Sequence, residues 1–328
     1  MPRPAAYRRR GPDGLPSSLT RSLDGVAAVV NRLVRSHRGV RVAAAASVPL
    51  AVGAVAARRK LGLHPAATLC IGLVPILGSA IAVPKGRARY AVVGGMYMHL
   101  FKLGWELPYD DPDKLRKRLW IDQPITFDTV VGFGVPPGLR LQRALRRPGS
   151  VTAFDRVVTA VYGSWFVPQL LLAYLLKQHP EYVPRAGARL SAAYHLTCPF
   201  YFWAPEAPPW WASEKEDRMG GEIERVARLV ACDLLNRPPP STAPGNPWGS
   251  MPSDHISSAA ITAMGLTEVS PLFGALGWTY VASASFAVVY LGEHYVLDVV
   301  VGLLIAEAVR RAEPYAAPFV RAVTRAVE

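Results

Sequence analysis

Apolar residues in this chain come in long blocks that basic clusters separate. Residues 61–84 and 269–292 carry no charged side chain, and 157–176 is a third run of the same kind. A helix needs about 20 apolar residues to cross the hydrocarbon core of a bilayer, so each run is long enough to span it. Buried helices of a soluble protein are the alternative, but three runs of this length favour a membrane protein.

The full pattern predicts eight spanning helices, six of which form the functional core. Their predicted ranges are 42–57, 64–84, 88–106, 155–177, 187–205, 254–268, 271–291 and 294–311. The expected fold class is therefore all-α, a polytopic membrane helical bundle with a six-helix core and about two N-terminal helices.

The domain organisation follows from the same blocks. Residues 1–40 are expected to form a basic cytoplasmic tail, disordered over 1–24, with a possible surface helix from Val26 to Arg38. The N-terminal transmembrane helices are expected at 41–84, the core at 85–312 and a second cytoplasmic tail at 313–328.

Basic clusters predict the orientation, because Lys and Arg favour cytoplasmic loops. The clusters in 8–41, 85–89, 177–189 and 310–325 all fall inside if both termini do. Arg58-Arg59-Lys60 then falls outside, so either the first helix does not cross or this short loop breaks the rule. Segments 107–153 and 206–252 are expected to be external.

Within the second external segment, apolar residues recur at helical spacing between Ser213 and Asn236. We expect a helix there, either a surface helix over the functional site or a plain linker.

The formal charge of +13 fits this topology. Nucleic acid is the other usual partner of a basic chain, but the Arg clusters flank apolar runs and no nucleic-acid motif is present. The three cysteines, Cys70, Cys198 and Cys232, show no ligand spacing, so they indicate no metal site. We expect no cofactor, no metal and no nucleic-acid partner.

Two histidines and one aspartate lie at the edges of the apolar runs. His294 and Asp298 are four residues apart, so on a helix their side chains reach each other. A carboxylate on one imidazole nitrogen fixes the tautomer and leaves the other nitrogen as a base or nucleophile. His255 follows Ser253-Asp254, which predicts a helix start where backbone N–H groups can bind phosphate.

Each of these residues has a plainer interpretation. His255 alone could be a helix-start histidine with satisfied hydrogen bonds, and His294 with Asp298 could be a structural pair tying two helices together. A metal site of two histidines and one carboxylate is a further alternative, but no additional ligand at a suitable spacing is evident. Taken together at one membrane face, the three residues favour catalysis.

Two stretches resemble the signatures of the phosphatidic acid phosphatase type 2 superfamily. Pro252-Ser253-Asp254-His255 is similar to its Pro-Ser-Gly-His, and Gly292-Glu293-His294-Tyr295-Val296-Leu297-Asp298 is similar to its Gly-x-His-x-x-x-Asp. The resemblance is specific over about residues 250–300. The chain departs from the family at Ala287-Val288, where the signature has Ser-Arg, and at Asp254, where it has Gly.

In both departures the chain resembles a branch of the superfamily that includes inositol phosphorylceramide synthases and sphingomyelin synthases. Tyr290-Leu291 followed by His294-Tyr295-x-x-Asp298 is close to that branch, as is Ala207-Pro208-Pro209-Trp210-Trp211.

The resemblance implies a mechanism and a residue assignment. His294 would attack phosphorus, Asp298 would orient it, and His255 would serve as acid and then base. Ser253 and Asp254 would lie at the phosphate, Asp254 and Glu293 being either polyol contacts or solvated acids. The family's first signature is Lys, six residues and Arg-Pro, and the nearest match here is Arg116, six residues and Gln123-Pro124, with Lys117 and Arg118 equally available. Alternatively, 114–118 meets lipid headgroups.

The function this implies is an integral membrane lipid phosphotransferase that moves a phosphoryl-alcohol headgroup, such as inositol phosphate, between lipids. Its partners would be a phospholipid or lipid phosphate, the bilayer, and an alcohol acceptor lipid or water. The alternatives are a phosphatase acting on phosphatidic acid or polyprenyl phosphate, and a non-catalytic membrane scaffold. The expected location is the cell membrane, with the site facing outside.

Overall fold

The computed structural model describes residues 15–176, 183–237 and 245–327, and among these it has fifteen α-helices and no strand. The helices are α1 Ser17–Ser36, α2 Arg38–Ala56, α3 Pro65–Ala82, α4 Arg87–Glu106, α5 Pro112–Arg116, α6 Asp122–Val131, α7 Pro137–Leu145, α8 Ala153–Gly163, α9 Val167–Leu176, α10 Val183–Trp203, α11 Pro209–Glu216, α12 Val226–Leu235, α13 Asp254–Val269, α14 Pro271–Tyr290 and α15 Val296–Val327. The predicted all-α class is confirmed.

The chain forms two compact units, one comprising residues 111–310 and the other 15–110 with 311–327. In the second of these, α3 packs against both α2 and α4. Arg58 and Arg59, the cluster that broke the charge rule, both bind the Asp110 carboxylate, with Nε–O distances of 2.8 and 2.7 Å. The basic loop after α2 is therefore ion-paired within its own unit.

The unit at 111–310 is built around α13, which packs against α14, α10 and α9. Its core consists of small and β-branched residues, which let helices approach closely. The buried members of this core are Ala193, Ile256, Ala259, Ala260, Ile261, Ala263, Val281, Ala284, Val288, Val289, Val299, Ile305, Ala306 and Val309.

Among the described residues, three helices are long and apolar enough to cross a membrane: Arg38–Ala56, Pro65–Ala82 and Pro271–Tyr290. Taken together, α8 and α9 are also long and apolar enough to form a fourth span, but they are bent by 47° relative to each other. The continuous helix predicted at 155–177 was wrong in this respect. The helix is interrupted at residues 164–166, and Pro168 just after the break has no N–H to donate to the carbonyl four residues before it, which favours a bend there.

Two other expectations need correction. The tail predicted to be disordered over 1–24 contains the start of α1 at Ser17. The single helix predicted from Ser213 to Asn236 was wrong, because the chain leaves α11 at Glu216 and re-enters a helix only at Val226. Asp217, Met219 and Gly220 between them adopt positive φ angles, which an α-helix does not tolerate.

Candidate functional site

The start of α13 is fixed against α15. The backbone N–H of Ser253 donates to the carbonyl of Asp298 at 3.1 Å, and α13 begins at the next residue. Gly302 makes this approach possible, since a Cβ atom there would lie 2.7 Å from the Ser253 carbonyl oxygen. The predicted helix start at Ser253-Asp254 is where the helix begins.

A tight turn after α14 positions His294. Gly292 has a φ of +74°, a conformation that side chains disfavour, and a Cβ atom there would lie 2.8 Å from the Glu224 carbonyl oxygen. The carbonyl of Val288 accepts from the N–H groups of both Glu293 and His294 at 3.1 Å. The turn therefore holds His294 immediately before α15.

His294 and Asp298 form a buried hydrogen-bonded pair. The Nδ1 atom of His294 lies 2.9 Å from Oδ2 of Asp298, which is fully buried. The same oxygen accepts from Ser250 Oγ at 2.7 Å and from the Tyr295 N–H at 3.1 Å. Because a carboxylate can only accept, Nδ1 carries the proton and Nε2 is left as the nucleophilic nitrogen.

The structure brings His255 to the same place. Its ring centroid lies 5.8 Å from that of His294. Tyr162 stacks on His255 at 4.6 Å, and Trp165 meets it edge-on at 5.9 Å. Two imidazoles at this separation can act on opposite sides of one phosphorus atom.

Ser253 and Asp254 carry unused polar atoms beside the histidines. Within the described residues, the buried Oγ of Ser253 and the Oδ1 of Asp254 have no hydrogen-bond partner. The other Asp254 oxygen accepts from the Tyr201 hydroxyl. Buried polar atoms without partners indicate a ligand position, because leaving them unpaired costs free energy.

The three residues matched to the family's first signature lie on exposed parts of the chain. Arg116 pairs with Glu216 at 2.5 Å and stands over the Trp211 ring. Arg118 donates to the Phe202 carbonyl at 2.9 Å. The Gln123 side chain accepts from the nearby Ile121 N–H at 3.2 Å. Their role in substrate binding stays a prediction.

Sequence reasoning did not identify Asp128, which holds the start of α15. Its carboxylate accepts from the N–H groups of Val296 and Leu297 at 3.0 and 3.2 Å. Burial raises the pKa of Asp128 to about 6, an effect that these two hydrogen bonds oppose and the charge of Asp298 reinforces. Asp128 therefore anchors the helix that carries Asp298.

Arg225 was also missed. Its guanidinium binds both oxygens of Glu293, with distances of 2.9 Å from Nε and 3.2 Å from Nη2, and it stacks 4.5 Å from the Trp210 ring. Glu293 is adjacent to His294, and the Tyr162 hydroxyl lies within electrostatic reach of the Arg225–Glu293 pair. A guanidinium is thus paired with the residue next to His294 and lies near Tyr162, which stacks on His255.

Glu206 is the third residue that was missed. It is fully buried, and its carboxyl lies within hydrogen-bonding reach of Asp298. Burial, followed by the charge of Asp298, raises the pKa of Glu206 well above its ordinary range. The available signal was that Glu206 is the only charged residue between Leu196 and Ala212.

Among the described residues, no group of three or more His, Cys, Asp or Glu side chains is arranged to hold a metal ion. What the geometry offers is an imidazole whose Nε2 is free of the Asp298 contact, a second imidazole beside it, a guanidinium paired with the neighbouring Glu293, and a helix start. These are the parts that transfer of a phosphoryl group between oxygens requires.

The family model described as the PAP2 superfamily matches residues 125–310. This range includes His255, His294 and Asp298 but not Arg116, Arg118 and Gln123. Neither the curated proteins nor the solved structures contain a match. Because the match covers more than half of the 328 residues, the chain belongs to the PAP2 superfamily.

Proposed function

We propose that this protein is an integral membrane lipid phosphotransferase, which moves a phosphoryl-alcohol headgroup such as inositol phosphate through a phosphohistidine at His294. The observation that carries the proposal is the 5.8 Å separation of the His255 and His294 ring centroids, with Asp298 hydrogen-bonded to Nδ1 of His294. Membership of the PAP2 superfamily supports phosphatase or phosphotransferase chemistry of this type.

The first half of the reaction forms the phosphohistidine. Nε2 of His294 attacks phosphorus, and the bond from phosphorus to the oxygen of the departing lipid alcohol breaks. His255, protonated at this stage, gives its proton to that oxygen. The His294 ring becomes positively charged, and the Asp298 carboxylate stabilises it.

The second half returns the headgroup to a new alcohol. His255, now neutral, takes the proton of the acceptor hydroxyl, whose oxygen attacks phosphorus as the bond to Nε2 of His294 breaks. The headgroup leaves on the acceptor, His255 is protonated again, and the enzyme is ready for the next donor lipid.

The phosphate oxygens need a positive partner in both steps. The family's arginine is Val288 here, and the Val288 side chain is fully buried in the apolar core. We assign the missing charge to Arg225, which directly precedes α12 and pairs with Glu293, the residue next to His294. The unpaired Ser253 Oγ at the start of α13 would supply an additional donor.

The surroundings of His255 favour transfer over hydrolysis. Tyr162 covers one face of the ring and Trp165 contacts it from another direction, so aromatic carbon replaces part of the water next to the base. A transferase has to restrict water near the base while admitting an alcohol.

The discriminating experiment uses purified protein in lipid vesicles with labelled phosphatidylinositol, with and without diacylglycerol or ceramide as acceptor. We expect label on the acceptor lipid and none in the His294→Ala variant. A parallel assay supplies a polyprenyl phosphate. Free phosphate from that substrate alone would establish the phosphatase instead, and absence of acid-labile label on His294 in all assays would favour a scaffold.

A further inference from the structure

Glu206 is held in place by its own main chain. Its N–H donates to the Trp248 carbonyl at 2.9 Å, and the residues on either side of it exchange hydrogen bonds with Trp120 at 2.8 and 3.0 Å. The segment therefore lies between two others, aligned with Trp120 on one side and Gly249 on the other. The Glu206 side chain has no exposed surface, so its carboxyl group is held away from bulk water.

The carboxyl groups of Glu206 and Asp298 each have oxygens without a hydrogen-bond partner, and the two groups can bond to each other. Neither oxygen of Glu206 has a partner among the described residues, and Oδ1 of Asp298 has none either. The two carboxyls lie within hydrogen-bonding reach. Two adjacent carboxylates in a buried site repel each other strongly, so one of them binds a proton. A single proton between them pairs one oxygen of Glu206 with Oδ1 of Asp298.

The hydrogen bonds decide which carboxyl holds that proton. Oδ2 of Asp298 accepts from the His294 ring, from Ser250 and from the Tyr295 N–H, and hydrogen bonds of this kind favour the charged form. Glu206 has no such donors. The other ionisable groups that act on Glu206 are Asp128 on α6 and Tyr295 before α15, and both are acids.

We propose that Glu206 is protonated in the resting enzyme and donates a hydrogen bond to Oδ1 of Asp298, which makes it a positioning residue for the His294–Asp298 pair. The proposal deepens the function proposed above and rests on its assignment of His294 as the nucleophile. A neutral donor fixes the carboxylate without adding charge. An ionised Glu206 would instead repel the Asp298 carboxylate and could not donate a hydrogen bond to it. Asp298 would then be held less firmly against His294.

The pH dependence follows from the direction of the shift. An acid whose pKa is raised in the folded protein loses its proton there only as the pH rises through that raised pKa, whereas in the unfolded chain it loses it near its ordinary value. The stability that the protonated Glu206 contributes should therefore decrease from that ordinary value upwards, and activity should decrease as the pH passes the raised pKa. Glu206→Gln donates the same hydrogen bond through its amide but cannot ionise, so both declines should be absent from the variant.

The first test is infrared spectroscopy, which needs no turnover and so is independent of the proposed function. The difference spectrum between the wild-type protein and Glu206→Gln at neutral pH should contain the C=O band of a protonated carboxylic acid, shifted in D₂O. The band should disappear at alkaline pH. A neutral-pH difference spectrum with carboxylate bands in its place would overturn the proposal.

The second test is kinetic. Glu206→Gln should retain kcat within a few-fold, whereas Glu206→Ala should lose about 10- to 100-fold in kcat with little change in KM, the range for one hydrogen bond to a charged group. Glu222→Gln, at an exposed partner of Arg143, is the matched control and should behave as wild type. If Glu206→Gln folds normally but loses as much kcat as Glu206→Ala, the carboxyl proton is not the relevant feature and the proposal fails.

Discussion

Asp298 is the most constrained residue of the site, because one buried oxygen accepts three hydrogen bonds, including that of the nucleophile. Replacing Asp298 with Asn keeps the shape but presents an amide. The Asn can turn its N–H₂ group to His294, which then carries its proton on Nε2 and loses the lone pair that attacks phosphorus.

For Asp298→Asn we expect kcat to fall by about 10³-fold or more, by analogy with the loss that the same change causes in a serine protease triad. Steady-state rates and the amount of labelled phosphohistidine formed in a single turnover measure the effect. Asp233→Asn, at an exposed ion pair with Arg156, controls for loss of a carboxylate elsewhere. Normal formation of phosphohistidine in Asp298→Asn would contradict the role given to Asp298.

Arg225 and Arg228 offer a matched pair at the border of the site. Both guanidiniums stand over the Trp210 ring, at 4.5 and 5.7 Å, but Arg225 binds Glu293 whereas Arg228 binds Glu214. Of the two arginines, only Arg225 pairs with the residue next to His294.

Arg225→Ala should lower kcat/KM by about 10²- to 10³-fold, the usual effect of removing one group that stabilises charge in a transition state. Arg225→Lys should recover part of the loss, since it restores the charge but not the two-pronged geometry. Arg228→Ala should change kcat/KM by less than about 5-fold. Equal losses in Arg225→Ala and Arg228→Ala would show that both arginines serve folding or lipid contact instead.

The sequence could reveal only part of this site. His255, His294, Asp298 and Ser253 were predicted as site residues because the features that single them out are local, four residues along a helix or one residue before its start. Arg225, Glu206 and Asp128 were missed because each reaches the site from another segment. Their position depends on a tertiary contact, which the isolation of Glu206 in an apolar stretch hints at but does not specify, and which nothing near Arg225 or Asp128 indicates.

At the scale of elements, the critical contact is the close approach of α13 and α15. Gly302 faces the carbonyl of Ser253, and the N–H group of Ser253 donates to the carbonyl of Asp298. Any side chain at position 302 would push the two helices apart at the level where the proposed nucleophile His294 and the start of α13 meet. The same contact also supports the core around Ile256.

Gly302→Ala should reduce both stability and activity, because its Cβ atom would lie 2.7 Å from backbone oxygen that cannot rotate away. We expect a loss of about 1–3 kcal/mol in the free energy of unfolding, typical of overpacking, with a fall in kcat. Thermal unfolding in detergent and steady-state rates check this. Gly95→Ala on α4, where a Cβ atom meets nothing within 4 Å, is the control and should be neutral or slightly stabilising.

Elements were predicted well where long apolar runs dominated and poorly where backbone geometry did. The predicted spans at 254–268 and 271–291 correspond closely to α13 and α14. The predictions failed at residues 164–166, where the span predicted at 155–177 is broken and bent, and at Asp217–Gly220, where left-handed residues split an apparently continuous helical pattern. Periodicity records which faces are apolar, but it does not record a change of backbone conformation.

For the molecule as a whole, the basic clusters predict which side of the membrane the site faces. They favour an external site, since they place the 107–153 and 206–252 segments outside. The 20-residue helix α14, one of the three candidate spans, begins just after Ser270 and ends four residues before His294, which is a rise of about 30 Å. The site and the α13–α14 connection are therefore expected at opposite membrane surfaces.

Cysteine labelling in intact cells tests this orientation. In a background with Cys70, Cys198 and Cys232 changed to Ala, Arg147→Cys should react with a membrane-impermeant maleimide, because Arg147 is exposed in the predicted external segment. Ser270→Cys should react only after the membrane is permeabilised, and its side chain makes no capping hydrogen bond that the change would remove. The reverse pattern would place the two histidines on the cytoplasmic side, where both donor and acceptor would have to be lipids of the inner leaflet.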